Sequence, residues 1–298
     1  MGDGMKHFWR LLRRILIWTA GMGLAALICV MNFHILWNYG FWANVSSEAL
    51  EGDAFRAMDF SDGGLEQIKH LADETGMELS DAASIVMLRY GFAPNKWEIA
   101  RTDAKDLLEW KTVLDTAASP AYETIRAAYR SVLADIRYFP VPDSLDPDRT
   151  AVTFADTWKE QRSYGGERLH EGTDLMGASY ERGTYPVISM TDGVVEKLGW
   201  LEKGGWRVGI RAPSGGYFYY AHLYSYASGL KEGDRIKAGQ LLGYMGDSGY
   251  GKEEGTVGKF PVHLHLGIYL ETDRMEEMSV NPCQILAYAQ KYKLTYDY

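Results

Sequence analysis

The sequence predicts three architectures in succession: an N-terminal transmembrane helix, a small α-helical bundle, and a mainly antiparallel β domain. Three observations carry this. Ile15 to Leu36 is a run of 22 residues without Asp, Glu, Lys or Arg. Between Ser61 and Ile136, apolar residues recur at helical spacing. After residue 150, glycines punctuate short β-type runs with no helical pattern between them, which argues for antiparallel pairing and against βαβ units.

As a helix the apolar run reaches about 33 Å at about 1.5 Å per residue, enough to cross the hydrocarbon core of a bilayer. Lys6, Arg10, Arg13 and Arg14 precede it against Asp3 alone, and Glu48, Glu51 and Asp53 follow it. The positive-inside bias places the N-terminus in the cytoplasm and the body outside. Trp9 on one side and Trp37, Tyr39 and Trp42 on the other are expected at the interfaces, with Asn32 reaching outward toward water. A cleaved signal peptide is the alternative, disfavoured by the length of the run and by the lack of a small-x-small cleavage site after it. Cys29 lacks the small preceding residues of a lipoprotein signal, and two cysteines offer neither a disulfide framework nor a cysteine metal site. The chain carries a formal net charge of -9, so its acidic body repels a phosphate backbone and nucleic acid is not an expected partner.

Residues 38–60 read as a juxtamembrane segment with little periodicity. Leu65, Ile68, Leu71 and Ala72 mark a first helix ending at Gly76. Ser80 is expected to cap a second, Thr102 a third, and Ser119-Pro120 starts a fourth with proline at its first position. This region, 61–138, is a spacer or a binding module. His70 lies on its first helix without a ligand partner at i+3 or i+4 and is taken as an ordinary polar residue. Closely spaced prolines from Pro140 to Pro147 favour an extended segment, so 139–149 is assigned as a linker. The resulting division is a basic tail 1–14, a transmembrane helix 15–37, the juxtamembrane segment 38–60, the helical region 61–138, the linker, a β domain 150–282 and a C-terminal tail 283–298.

In the β domain, strands are expected from Gly193, Trp206, Tyr217, Gln240 and His263. Gly204-Gly205 and Pro213-Ser214-Gly215-Gly216 read as hairpin turns. All four histidines after residue 150 fall in three blocks: His170-Glu171-Gly172-Thr173-Asp174, Ala221-His222-Leu223 and His263-Leu264-His265. On a strand His263 and His265 share a face. His222 is expected to end a neighbouring strand, and His170 and Asp174 to fold together in a glycine-containing turn. A lone His-x-His is weak evidence for a metal. Three such blocks in one strand-rich region suit a zinc ion with an open position, the equipment for amide hydrolysis. The tyrosines from Tyr217 read as core.

These blocks resemble the lysostaphin-type zinc endopeptidases, which cut peptide bonds in bacterial peptidoglycan. The resemblance covers roughly residues 165 to 282 and extends to Tyr185-Pro186-Val187, Asp192-Gly193-Val194-Val195 and Lys231-Glu232-Gly233-Asp234. It implies a lysostaphin-type β-sheet fold, zinc ligands at His170, Asp174 and His265, and catalytic histidines at His222 and His263. Which histidine acts as base stays open. Two imidazoles and one carboxylate leave the ion a formal charge of about +1, with room for a water whose pKa falls to about 7. Glu171, beside a ligand, gains no support as a base from the resemblance. One departure stands out: Tyr250 to Val262 is longer than the family's usual stretch between its Gly-x-x-Gly turn, here Gly246 to Gly249, and the His-x-His, so this loop is expected beside the site.

The implied protein is a bacterial, membrane-anchored, extracytoplasmic zinc endopeptidase acting on peptidoglycan stem peptides or cross-bridges. The alternatives are a non-catalytic scaffold or activator of cell-wall hydrolysis or sporulation complexes on the same fold, and a zinc carboxypeptidase releasing D-alanine.

Overall fold

In the computed structural model all residues are described except 1, 44, 118, 150, 164 and 165; at 3, 34–39 and 41–43 the description is of the backbone alone. Helix α1 (Asp3–Ala43) spans about 60 Å at about 1.5 Å per residue. Its segment Gly4–Phe33 is long and apolar enough to cross a membrane by length and composition. Trp18 and Met22 are 73% and 70% exposed, so this apolar surface has no cover among the described residues. Asn32 is exposed, and its Nδ2 donates to the Ile28 carbonyl at 2.9 Å, a bond within the helix that pairs one of its amide protons. The aromatic anchors expected at Trp37, Tyr39 and Trp42 lie outside the described side chains.

The segment after α1 is more ordered than its lack of periodicity implied. A 3-10 turn (Ser47–Glu51), capped by the Ser46 hydroxyl, leads into α2 (Asp53–Arg56). Leu50, Phe55, Met58 and Phe60 are buried, and Phe55 meets Tyr129 edge-on at 5.3 Å between ring centroids. Helix α3 (Gly64–Thr75) ends at Gly76, whose left-handed φ of 70° closes the helix. Ser80 is not the cap of the next helix, because α4 (Leu79–Arg89) starts from Glu78 and buries Ser80 in its first turn. A short α5 (Lys96–Arg101) had not been foreseen; Asn95 and Glu98 form a capping box at its start. Thr102 closes α5, and α6 (Ala104–Ala117) begins two residues later. Helix α7 (Pro120–Leu133) starts at Ser119-Pro120 as expected, with Ile125, Tyr129, Val132 and Leu133 on its buried face. The buried Asp81 carboxylate of α4 is held by a two-pronged contact from Arg126 of α7, at 2.7 and 2.8 Å.

The remaining chain supplies β1 (Asp143–Ser144), β2 (Gln161–Arg162), β3 (Arg168–Leu169), β4 (Thr173–Met176), β5 (Pro186–Ile188), β6 (Gly193–Leu201), β7 (Gly205–Arg211), β8 (Tyr217–Tyr226), β9 (Arg235–Ile236), β10 (Leu241–Met245), β11 (His263–Leu270) and β12 (Met278–Val280). Residues 283–298 fold as α8 (Cys283–Ala289) and β13 (Thr295–Tyr296), which pairs in parallel with β1. Among the described residues, nine strands form one sheet with the order β12-β11-β8-β7-β6-β9; β4 pairs with β11, and β10 bridges β8 and β5. Pairing within it is antiparallel, as the glycine-punctuated sequence predicted. Turns at Glu202–Gly204 and Pro213–Gly215 join β6, β7 and β8.

One continuous buried cluster runs from Phe55 and Tyr129 through Phe139 and Val141 to Leu264, Ile268 and Ile285. Polar contacts stitch the helices to the sheet. Arg56 donates to the carbonyl and hydroxyl oxygens of Ser279 at 3.0 and 2.8 Å and to Glu171 at 3.1 Å. Glu171, weighed above as a base, is thus engaged by α2.

Candidate metal centre and cleft

Strand alternation positions most of the site. On β11, Leu264 and Leu266 are fully buried in the core, which turns His263 and His265 to the opposite face. Register places His265 directly across from Asp174 on β4 and from Ala221 on β8. Asp174 therefore sits on a strand, not in the expected turn, and the short loop Glu171-Gly172 brings His170 over it. That loop needs a glycine: a Cβ at Gly172 would lie 2.5 Å from Cε1 and Nε2 of His265 and 2.7 Å from the Leu266 carbonyl.

His170 Nε2 lies 3.1 Å from both Asp174 Oδ1 and His265 Nδ1, and His265 Nδ1 lies 2.9 Å from Asp174 Oδ1. A tetrahedral zinc ion with bonds near 2.1 Å would separate its ligand atoms by roughly 3.4 Å. The donor set is also right for zinc, and the three residues form a group able to hold a metal ion. The residues present fit such an ion. Their surroundings orient them: His170 Nδ1 lies 2.9 Å from the Thr157 hydroxyl, 3.0 Å from the Arg162 guanidinium and 3.2 Å from the Thr157 carbonyl, and a metal on Nε2 requires the Nδ1 proton to point at one of the two Thr157 oxygens. Arg162 donates to the outer oxygen of Asp174 at 3.2 Å. In the metal-free chain burial works against the Asp174 carboxylate, but hydrogen bonds from His170 and His265 outweigh it and hold the group well below the usual range.

His222 does not end its strand; β8 continues to Tyr226. It sits instead at an irregularity in the pairing of β8 with β7, two residues before a second one against β10 at Tyr224, and has a left-handed φ of 62°. A bulge of this kind breaks alternation and re-aims one side chain, here into the cleft. The His222 Nδ1–H donates to the Ser248 carbonyl and the His263 Nδ1–H to the Pro261 carbonyl, both at 2.8 Å. The two rings stand 4.8 Å apart, and His263 Nε2 is 3.6 Å from Asp174 Oδ1. Burial first, then neighbouring imidazoles, pushes His222 well below the usual histidine range. Burial likewise lowers His263, so both rings are neutral near pH 7.

All five sequence-predicted residues thus line one cleft of about 700 Å³. The long loop lies beside them as expected: Phe260 packs edge-on against His222 at 4.6 Å, and Tyr250 stacks on the same ring at 6.0 Å. Arg168 donates to the Tyr250 hydroxyl. Sequence reasoning missed Thr157 and Arg162, and it took the tyrosine strand as core. Phe218 and Tyr220 are core, but Tyr217 and Tyr219 line the cleft with Tyr269. Period-two alternation from Ala221 was the available signal. Burial raises the phenol of Tyr217 to about 12, and those of Tyr219 and Tyr269 are raised for the same reason, so all three act as neutral walls.

Residues 168–282 match the description Peptidase family M23. The chain is 45% identical over 147 residues to the L-Ala–D-Glu endopeptidase of Bacillus subtilis, a stretch of 49% of this chain and 43% of that protein. It is 37% identical over 108 residues to the glycyl-glycine endopeptidase ALE-1 of Staphylococcus capitis, covering 34% of this chain and 28% of that protein. The chain therefore spans less than half the length of these curated relatives. A crystal structure from Ruminococcus gnavus, of a protein assigned as the glycyl-glycine endopeptidase lytM, superposes with a TM-score of 0.72 at 42% identity, over 84% of this chain and 95% of that one.

Proposed function

The chain belongs to peptidase family M23, and on that premise we propose that it is a membrane-anchored, extracytoplasmic zinc endopeptidase that hydrolyses peptide bonds in peptidoglycan. One observation carries the reading: three donor atoms within 3.1 Å of one another, with two neutral imidazoles facing the same cleft. The relatives named as endopeptidases support the reaction class, and the long apolar α1 supports the anchor.

In this reading His170 Nε2, Asp174 Oδ1 and His265 Nδ1 hold the ion, and His222 and His263 are catalytic. When bound, zinc supplies Lewis acidity, acidifying water to a pKa of about 7 and polarising a carbonyl. The chain's own residues do the proton work. Both catalytic histidines spend Nδ1–H on a backbone carbonyl, so each presents Nε2 as a bare acceptor. Either can take a proton from the attacking water; once protonated, it can donate to the oxyanion or to the leaving amine. Arg162 offsets the second oxygen of Asp174, and Tyr219 and Tyr269 floor the cleft with neutral, flat surface.

The test is incubation of the detergent-solubilised full chain with purified peptidoglycan and zinc, reading new amino termini by mass spectrometry. Separated peptides are expected. Release of single D-alanine residues would indicate a carboxypeptidase instead. The scaffold alternative draws on the packing of Tyr250 and Phe260 against His222; an absence of any product across several wall chemotypes would favour it.

A further inference from the structure

The cleft runs beyond the metal centre and changes character as it does. From His265 the floor passes to Tyr219 at 6.2 Å, then to Tyr269 and Tyr217 in steps of 6.1 Å. Beside this floor, on the next strands of the same sheet, lies a cationic wall. Lys197 on β6 and Arg207 on β7 line the cleft, and Lys203 lines it from the turn between them. The Gly204 carbonyl of that turn accepts the His222 amide at 2.8 Å, so this wall is tied directly to the catalytic corner. The lining as a whole holds six lysine and arginine side chains against three carboxylates, in a chain whose net charge is -9.

Arg207 is the decisive residue. Its Nη1 is buried and has no hydrogen-bond partner among the described residues. Arg211, two residues along the same strand, is satisfied by Glu196 at 2.6 and 2.8 Å. A cleft-lining guanidinium with no carboxylate partner among the described residues can pair with an acidic group that a ligand brings in. Register gives the spacing. Arg207 faces Gly199 on β6, and Gly209 faces Tyr219 on β8 and Lys197 on β6. A Cβ at Gly209 would lie 1.8 Å from the Tyr217 hydroxyl, so glycine makes room for the Tyr217 ring that floors this end of the cleft. Strands β11 and β7 are separated by β8, about 10 Å at about 4.8 Å per strand, which is roughly three residues of extended peptide.

We propose that Arg207, flanked by Lys197 and Lys203, is a carboxylate-binding subsite that selects peptides bearing a free acidic group within about three residues of the scissile bond. The proposal rests on the endopeptidase reading and deepens it. The relatives' names point to two kinds of bond, one beside an acidic residue and one between glycines. A cationic wall with an unpaired guanidinium has a partner in the first kind and none in the second.

The probes are a peptide containing an L-Ala–D-Glu bond with the remaining D-Glu carboxylate free, and the same peptide with that carboxylate converted to a carboxamide. With the full chain, kcat/KM is expected to favour the carboxylate peptide by about ten- to a hundredfold, the range of a charge-assisted hydrogen bond. Arg207→Gln should bring the ratio to near one, and Arg207→Lys should retain part of it. Zinc content and melting temperature report whether each variant is folded. Equal rates on the pair, or a ratio unmoved by Arg207→Gln, would overturn the subsite. If neither peptide is cut, the endopeptidase reading fails separately, and calorimetric binding of the same pair decides the subsite: tighter binding of the carboxylate peptide, lost in Arg207→Gln, upholds it, and equal affinities reject it.

Discussion

Gly172→Ala tests the metal centre through a residue that donates nothing to it. The added Cβ would lie 2.5 Å from the His265 ring, and ordinary contact begins at 3.4 Å, so the ring must withdraw by 3.4 - 2.5 = 0.9 Å. The Cβ cannot retreat the other way, because the Leu266 carbonyl at 2.7 Å belongs to the central strand β11. Metal–ligand distances tolerate about 0.2 Å, so a displacement of this size disrupts one of three ligands. Perturbations that misorient a ligand typically cost 10- to 100-fold in affinity, or about 1.4 to 2.8 kcal/mol. The assay is zinc competition against a chromophoric chelator, with circular dichroism to confirm that the sheet persists. Unchanged zinc affinity in a folded variant would mean that His265 is not a ligand.

Two further outcomes follow from burial. His222 and His263 are held below the usual histidine range by burial, so the unfolded chain takes up their protons first as pH falls. The stability of the metal-free chain is therefore fully present above about pH 6.5 and declines below it, by at most about 1.4 kcal/mol per pH unit for each ring. Urea titrations between pH 7.5 and 5.5 would show this slope, and a flat profile would contradict the buried neutral rings. Phe55→Ala removes a fully buried ring from the segment that follows α1 and should cost about 3 to 5 kcal/mol of stability. A loss under 1 kcal/mol in the same titrations, where about 1 kcal/mol is the ordinary effect of a single substitution, would mean that the segment is not part of the core.

Much of this organisation is legible in the sequence because strands impose a period of two. His263 and His265 alternate with buried Leu264 and Leu266, and the hairpins around β7 fall at their glycine-marked turns. What was not legible depends on broken periodicity or on partners distant in sequence. The outlying φ of His222 arises where the register of β8 against β7 slips by one residue, a feature set by the partner strand and not encoded by its own neighbours. Residues 45–60 lack a repeat because turns, with left-handed φ at Met58, deliver Phe55 and Phe60 to the core one at a time. Helix α5 is six residues long, too short for a stripe to register, though Asn95 and Glu98 did carry its capping signal. Thr157 and Arg207 gain meaning only when other strands set His170 and Tyr219 beside them.

Five side chains divide the labour, three holding the ion and two moving protons, and zinc content separates the two roles. Elemental analysis of the purified chain should find one zinc per molecule. His170→Ala, Asp174→Ala and His265→Ala should lose it, while His222→Ala and His263→Ala keep the metal and lose peptidoglycan hydrolysis by about 100- to 10,000-fold. Equal retention, or equal loss, of zinc across all five variants would contradict the account.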